Sequence, residues 1–233
     1  MYDKMNNLFS EWKARPHHQG ALFITDGMIN PDKWNGFPKV LFLLKEAYGP
    51  QSTESGEWDL CKLLREEWKG PKGKLFRSLA QWAFGIKQLP QSGIVPFPYD
   101  HRTNPAVREA FFASAIVNVK KSQGKSQSNL DDLRQYVESD WDLIFRQLQS
   151  LKPDLIVCGY TWTLIKDHLD HPELISDRVY RSKNLVFVDF WHPANQFPNA
   201  LNYYTLCSLV QMSRILTRKT PEPIVASHAK GSV

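Results

Sequence analysis

Val40-Leu41-Phe42-Leu43-Leu44, running into Lys45-Glu46-Ala47-Tyr48-Gly49-Pro50, is the longest unbroken apolar run in the chain, and it decides the fold class. Successive apolar residues without in/out alternation suit a strand covered on both faces, as in parallel sheets with flanking helices. Three more segments have this character: Ala113 to Val119, Leu155 to Cys158 and Leu185 to Phe190. Between them lie stretches with apolar residues at three and four spacing, Trp58 to Trp68, Leu75 to Trp82 and Leu130 to Leu151. The last follows Ser128 and Asn129 and carries Asp131 and Asp132 in its first turn, where the helix dipole favours acids. Leu201 to Leu216 is a closing helix, with Pro221 and Pro223 beyond it. Alternating strands and helices predict an α/β protein: a single three-layer domain over residues 1–217, with a central, mainly parallel four-stranded sheet flanked by helices. Residues 218–233 are expected to form a flexible C-terminal tail.

Composition agrees with a globular class. The chain has 233 residues, 42% hydrophobic and 23% charged, with 12 Gly and 15 Pro and no biased tract, which excludes disorder, collagen and coiled coil. No apolar run approaches the ~20 residues of a membrane span. The opening Met1 to Trp12 has no h-region, so a cytoplasmic protein with no membrane partner is expected. Cys61, Cys158 and Cys207 lie far apart, and His17 and His18 are the only adjacent histidines, a pair that points different ways in most backbones. No metal and no cofactor is expected. A net charge of +5 permits an anionic partner. Its distribution is uneven: Lys62, Arg65, Lys69, Lys72, Lys74 and Arg77 oppose only Glu66 and Glu67, and Lys120, Lys121 and Lys125 follow with no acid among them. Charge runs of this kind are most often solvated helix faces.

Ligands of open parallel sheets bind at the carboxyl ends of the strands. The first strand delivers Lys45-Glu46-Ala47-Tyr48, the second Asn118-Val119-Lys120-Lys121, the third Gly159-Tyr160-Thr161, and the fourth Trp191-His192-Pro193-Ala194-Asn195. A carboxylate, an amide and an imidazole thus converge from three strands. Taken singly, each has a structural reading: Glu46 capping a loop, Asn118 satisfying a turn, His192 packed against a backbone partner. Together at one edge they indicate a site.

The order LLKEAYGP, PKGKLFRSLAQWAFGI, AIVNVKK, KPDLIVCG and DFWHPAN resembles the uracil-DNA glycosylase superfamily from about Val40 to Asn195. Members carry a G-E-A-P-G or G-Q-D-P-Y-H type loop after the first strand, an apolar strand ending in Asn, an L-I-V-x-x-G strand and a closing H-P-S loop. The G-E-A-P-G members usually hold an iron-sulfur cluster by four cysteines, so a chain with Cys 3 resembles a cluster-free bacterial branch. Lys45 stands where Gly is usual, Tyr48 where the G-E-A-P-G members have Pro, and Ala194 where H-P-S has Ser.

The resemblance implies a DNA glycosylase that flips a base out of the duplex and hydrolyses its N-glycosidic bond. Glu46 and His192 are then the catalytic residues, Glu46 activating water and His192 donating to the base oxygen that becomes negative. Asn118 hydrogen-bonds the base edge, and Tyr48 or Phe97 stacks on it. Lys120, Lys121 and Lys125 meet phosphates, and Ala194, Asn195, Gln196 and Phe197 form the loop that presses into the duplex. The partner is DNA and a monomer is expected. The base is left open between uracil or another deaminated base and the bulky modified cytosine of phage DNA, since an antiphage branch of the superfamily removes such cytosines. In that case Gln91, Ser92, His101 and Arg102, in the Pro-rich Gln88 to Pro105 loop, line a wider wall. Lys45 beside Glu46 does not by itself imply Schiff-base chemistry, so a monofunctional enzyme is expected. An α/β hydrolase or nucleotide-processing enzyme lacks support, for there is no G-x-S-x-G, P-loop or G-x-G-x-x-G. The non-enzymatic alternative is a nucleic-acid-binding module on the same fold.

Overall fold

The computed structural model describes residues 2–47, 56–100, 103–124 and 128–217. Helix α1 (Tyr2–Lys13) leads to short strands β1 (Leu22–Thr25) and β2 (Gly27–Met28), then to β3 (Val40–Glu46). Strand β4 (Gly56–Asp59) precedes a helical turn α2 (Leu60–Lys62) and a π-turn over Leu63–Glu67. Helices α3 (Gly73–Ser92) and α4 (Pro105–Phe112) come next, then β5 (Ser114–Lys120), α5 (Leu130–Leu151), β6 (Leu155–Gly159) and α6 (Trp162–Ile165). A hairpin, β7 (Glu173–Ser176) and β8 (Val179–Ser182), feeds β9 (Leu185–Phe190), and α7 (Asn199–Met212) closes the described chain.

The four apolar segments are the parallel centre of the sheet, in spatial order β5-β3-β6-β9. The sheet itself is larger than the four strands expected: it has seven and is mixed, with β2 antiparallel on β5 and the β8-β7 hairpin antiparallel beyond β9. These additions escaped the apolar pattern because they are short or half-exposed edge strands. β7, for example, buries none of its residues fully. A separate parallel pair joins β1 to β4. Helices α3, α4 and α7 pack one face around Phe42, Ile116 and Phe190, and α1, α5 and α6 pack the other around Leu41, Val117 and Phe187.

Local chemistry sets the helix limits. Asn129 accepts hydrogen bonds from the Asp131 and Asp132 amides, so α5 begins where the cap and acids place it. The helix expected from Trp58 starts later, because Trp58 pairs with Ile24 in β4 and Asp59 accepts from the Lys62 amide. The pattern expected to end at Trp82 continues to Ser92, carried by Ala83 and Ile86 in the core and by Gly85 against Tyr203 and Cys207 of α7. The expected tail lies outside the described residues.

Between the sheet edge and α5 sits a charged pair with no exposed side-chain surface, Lys121 Nζ to Asp26 Oδ1 at 2.6 Å. Asp26 Oδ2 also accepts from the Asn118 amide at 2.8 Å and from Asn118 Nδ2 at 3.1 Å. Gln147 Nε2 reaches Asp26 Oδ1 at 3.0 Å. Removing one member of a buried pair costs ~3–5 kcal/mol, since it strands the other charge. Lys121→Met is therefore expected to lower unfolding stability in urea by about that amount. A loss near the ~1 kcal/mol of an exposed ion pair would contradict this account.

Candidate active site

Strand β3 sends its chain to β5 on one side, and β6 and β9 lie on the other, so a topological switch falls beside β3 at the carboxyl edge. Register places Leu44 beside Asn118 and Glu46 beside Lys120. The Glu46 side chain is 6% exposed and takes Lys120 Nζ at 3.3 Å, while Lys120 also holds Asp132 at 2.6 Å. Burial pulls the Lys120 ammonium down, but Asp132 and Glu46 outweigh it and leave its pKa raised. Gly124 backs this carboxylate: a Cβ there would lie 2.5 Å from Glu46 Cγ. Glycine is what lets the chain after β5 close over Glu46, with Gly124 N–H on the Ala47 carbonyl at 2.9 Å.

Asn118 is 2% exposed. Its Nδ2 must face Asp26, because a carboxylate paired with Lys121 only accepts, and this leaves Oδ1 with no donor among the described residues.

His192 lies two residues beyond β9, on a loop that closes on itself. Its Nδ1 accepts the Ala194 N–H at 3.2 Å. Burial, and then the neighbouring Lys45 charge, hold its pKa down to about 4. His192 is thus neutral near pH 7 with its proton on Nε2. Gly159 admits this loop, for a Cβ there would meet Leu44 Cδ2 at 2.7 Å and Pro193 Cδ at 3.2 Å. Asn195 serves the loop internally: its Nδ2 donates to the His192 carbonyl, and its Oδ1 accepts from Phe197 N–H and Asn202 Nδ2. Lys74 donates to the Asn195 carbonyl, tying α3 to the loop.

The sequence-derived residues separate under this geometry. Glu46, Asn118, Lys120 and His192 share the carboxyl edge. Ala194, Gln196 and Phe197 are exposed on the loop, with Phe197 against Trp191 at 5.3 Å. Lys120 and Lys121 are both withdrawn from the phosphate-binding set, since Lys120 is buried and held by Glu46 and Asp132, and Lys121 lies inside the fold on Asp26 with Trp12 against it. Phe97 packs into the core against Tyr203, and Tyr99 beside it is 80% exposed. Tyr48, Lys125, His101 and Arg102 lie outside the described residues. A cleft of about 620 Å³, lined by Phe9, Thr25, Asp26, Cys61 and Arg65 among others, lies on the β1-β2 side and includes neither Glu46 nor His192.

Neither a scan against protein-family models nor a search of curated proteins finds a match for this chain.

Two further groups stand in this region without a site role assigned from the sequence. Lys45 stands with its ammonium 4.6 Å above the Tyr160 ring, and burial lowers its pKa against the opposing charge of Glu46. Asp26 was signalled only by Asp-Gly ending the Leu22 to Thr25 run. His17 and His18 also converge, contrary to expectation: in the 3-10 turn Pro16–His18 both Nε2 atoms reach Asp140, at 2.9 and 2.8 Å. The set has metal-ligating composition, but Arg15 Nη1 sits 3.2 Å from the same carboxylate, so it clamps the N-terminal segment to α5.

The His192 ring is expected to titrate by NMR near its value of about 4, and Lys45→Met to raise that value by removing a neighbouring cation. Because this pKa lies below the usual 6.5, acid protonates the unfolded chain first. The His192 contribution is intact above 6.5, erodes as pH falls, and levels off below about 4. A ring titrating at 6.5 in the folded protein would refute the burial argument.

Proposed function

We propose that this chain is a DNA glycosylase of the uracil-DNA glycosylase type, hydrolysing an N-glycosidic bond to leave an abasic site. One observation carries the reading: a neutral His192, its Nδ1 occupied by Ala194, offers an Nε2–H donor at the same sheet edge as the Glu46 carboxylate. In this chemistry the base leaves as an anion and the sugar approaches an oxocarbenium ion. A neutral imidazole donor stabilises charge developing on a base oxygen, and cannot be consumed by protonation near pH 7. A fixed carboxylate opposes the sugar cation and orients water. Asn118 Oδ1 and the second Nδ2 hydrogen are the groups left to read the base edge.

DNA contact falls to the exposed groups. Phe197, 49% exposed and braced by Trp191, is the wedge for the vacated stack. Lys72, exposed at the N-cap of α3, and Lys74, beside the loop, are the phosphate ligands in place of Lys120 and Lys121. The bases proposed are uracil or another deaminated base, with bulky modified cytosine as the second class.

Incubation with duplexes carrying uracil, deaminated purines and modified cytosines, scored for abasic sites, tests the reading. Loss of one oxyanion-type donor costs ~10²-fold or more in rate, so His192→Ala is expected to slow single-turnover excision by about that factor with DNA affinity retained. Gly124→Ala, which displaces Glu46, is expected to slow excision in the same assay. Binding without excision of any base would identify a nucleic-acid-binding module instead. Reversal of Lys72 and Lys74 to Glu is expected to weaken binding to every DNA alike and to flatten its salt dependence. An unchanged salt slope would remove these lysines from the interface.

A further inference from the structure

We propose that Lys45 is a second reactive group at this edge: an amine nucleophile that condenses with the C1′ aldehyde of an abasic site and confers DNA lyase activity. The proposal rests on the glycosylase reading for its substrate, but its chemistry is separate.

The setting of the amine distinguishes it from the other lysines withdrawn from solvent. Lys120 is held by Glu46 and Asp132, Lys121 by Asp26, and Lys87 by the Pro38 carbonyl at 2.6 Å. Lys45 Nζ has no hydrogen bond or ion pair among the described residues, and lies 4.6 Å above the Tyr160 ring. That ring is placed at a cost. Tyr160 has φ 65, the left-handed region that non-glycine residues rarely occupy, and its N–H is fixed to the Phe190 carbonyl at 2.8 Å. Thr161 Oγ1, fully buried, anchors the next residue to the Leu43 carbonyl at 2.9 Å. Backbone strain is thus held in place to present an aromatic face to a half-buried amine. The ring face attracts the ammonium form, while the partial burial of Nζ beside it disfavours that charge and works toward the neutral, nucleophilic amine. Burial lowers the Lys45 pKa in the same direction, and its charge is felt at His192, so amine and imidazole share one locality.

The chemistry balances without an oxidant or reductant. The Nζ lone pair forms a bond to C1′, the carbonyl oxygen leaves as water with two protons from nitrogen, and a C1′=N imine results. With the imine protonated, Glu46 is the nearby carboxylate to remove a C2′ proton. The electron pair of that C–H bond forms the C2′=C3′ double bond, and the C3′–O bond breaks with the phosphate leaving. Water then hydrolyses the imine and restores Lys45.

The experiment uses the full chain with duplex DNA containing a preformed abasic site, so that no base recognition is required. Sodium borohydride reduces any imine to a stable amine, and the cross-link is read on a denaturing gel and mapped by peptide mass spectrometry. The expected result is a cross-link mapped to Lys45, lost in Lys45→Met and in Lys45→Arg, the latter keeping charge and DNA affinity. No cross-link on the wild-type chain, or one undiminished in both variants, overturns the proposal. Parallel assay on the base panel separates the two readings. Excision without trapping ends the lyase proposal and leaves the glycosylase. Trapping at Lys45 without excision upholds the lyase and ends the glycosylase.

Discussion

The carboxylate of Asp26 is the interaction on which the carboxyl edge depends. It accepts from the Asn118 backbone and side-chain amides, from Lys121 and from Gln147, thereby joining the β2 edge, the end of β5 and helix α5 at one point. A buried carboxylate is tolerated only when paired and hydrogen-bonded, and these donors meet that requirement. The arrangement specifies a geometry more than it stabilises one, since a core of packed apolar groups is often as stable as a buried pair. What it specifies is the end of β5: where Asn118 sits, which way its amide turns, and where the chain leaves for Gly124 and Glu46.

Parallel strand direction does the rest. Because β5, β3, β6 and β9 run the same way, the residues that follow each one emerge at one edge, drawn from positions as far apart as Glu46 and His192. Two glycines then permit close approach, Gly159 beneath the His192 loop and Gly124 against Glu46. The electrostatics of the edge follow from this crowding. Glu46 is neutralised by Lys120, and His192 is kept uncharged by burial and by Lys45. A paired carboxylate, a neutral donor and a half-buried lysine therefore coexist at a single edge.

Lys45 also shows how a single side chain at a strand end acquires physical meaning. Near the end of β3 the chain places a lysine, and Tyr160, in the left-handed region, lies under its ammonium.

The sequence by itself determined the four central strands, the capped α5 and the placement of Glu46, Asn118 and His192 at or just after the carboxyl ends of those strands. Unbroken apolar runs, an Asn cap with acids behind it, and the position of a residue just after a strand are local signals that need no tertiary knowledge. It could not determine which lysines are taken up by ion pairs inside the fold. Lys120 and Lys121 are adjacent and alike in sequence, yet one bridges Glu46 and Asp132 and the other is sealed against Asp26 and Trp12. Successive side chains leave the strand end in different directions, and only packing decides which acid each one meets. The same holds for His17 and His18, joined by a 3-10 turn onto an acid in a distant helix, and for the edge strands that enlarge the sheet. Long-range pairing leaves no local periodicity, so these features were decided by the tertiary structure alone.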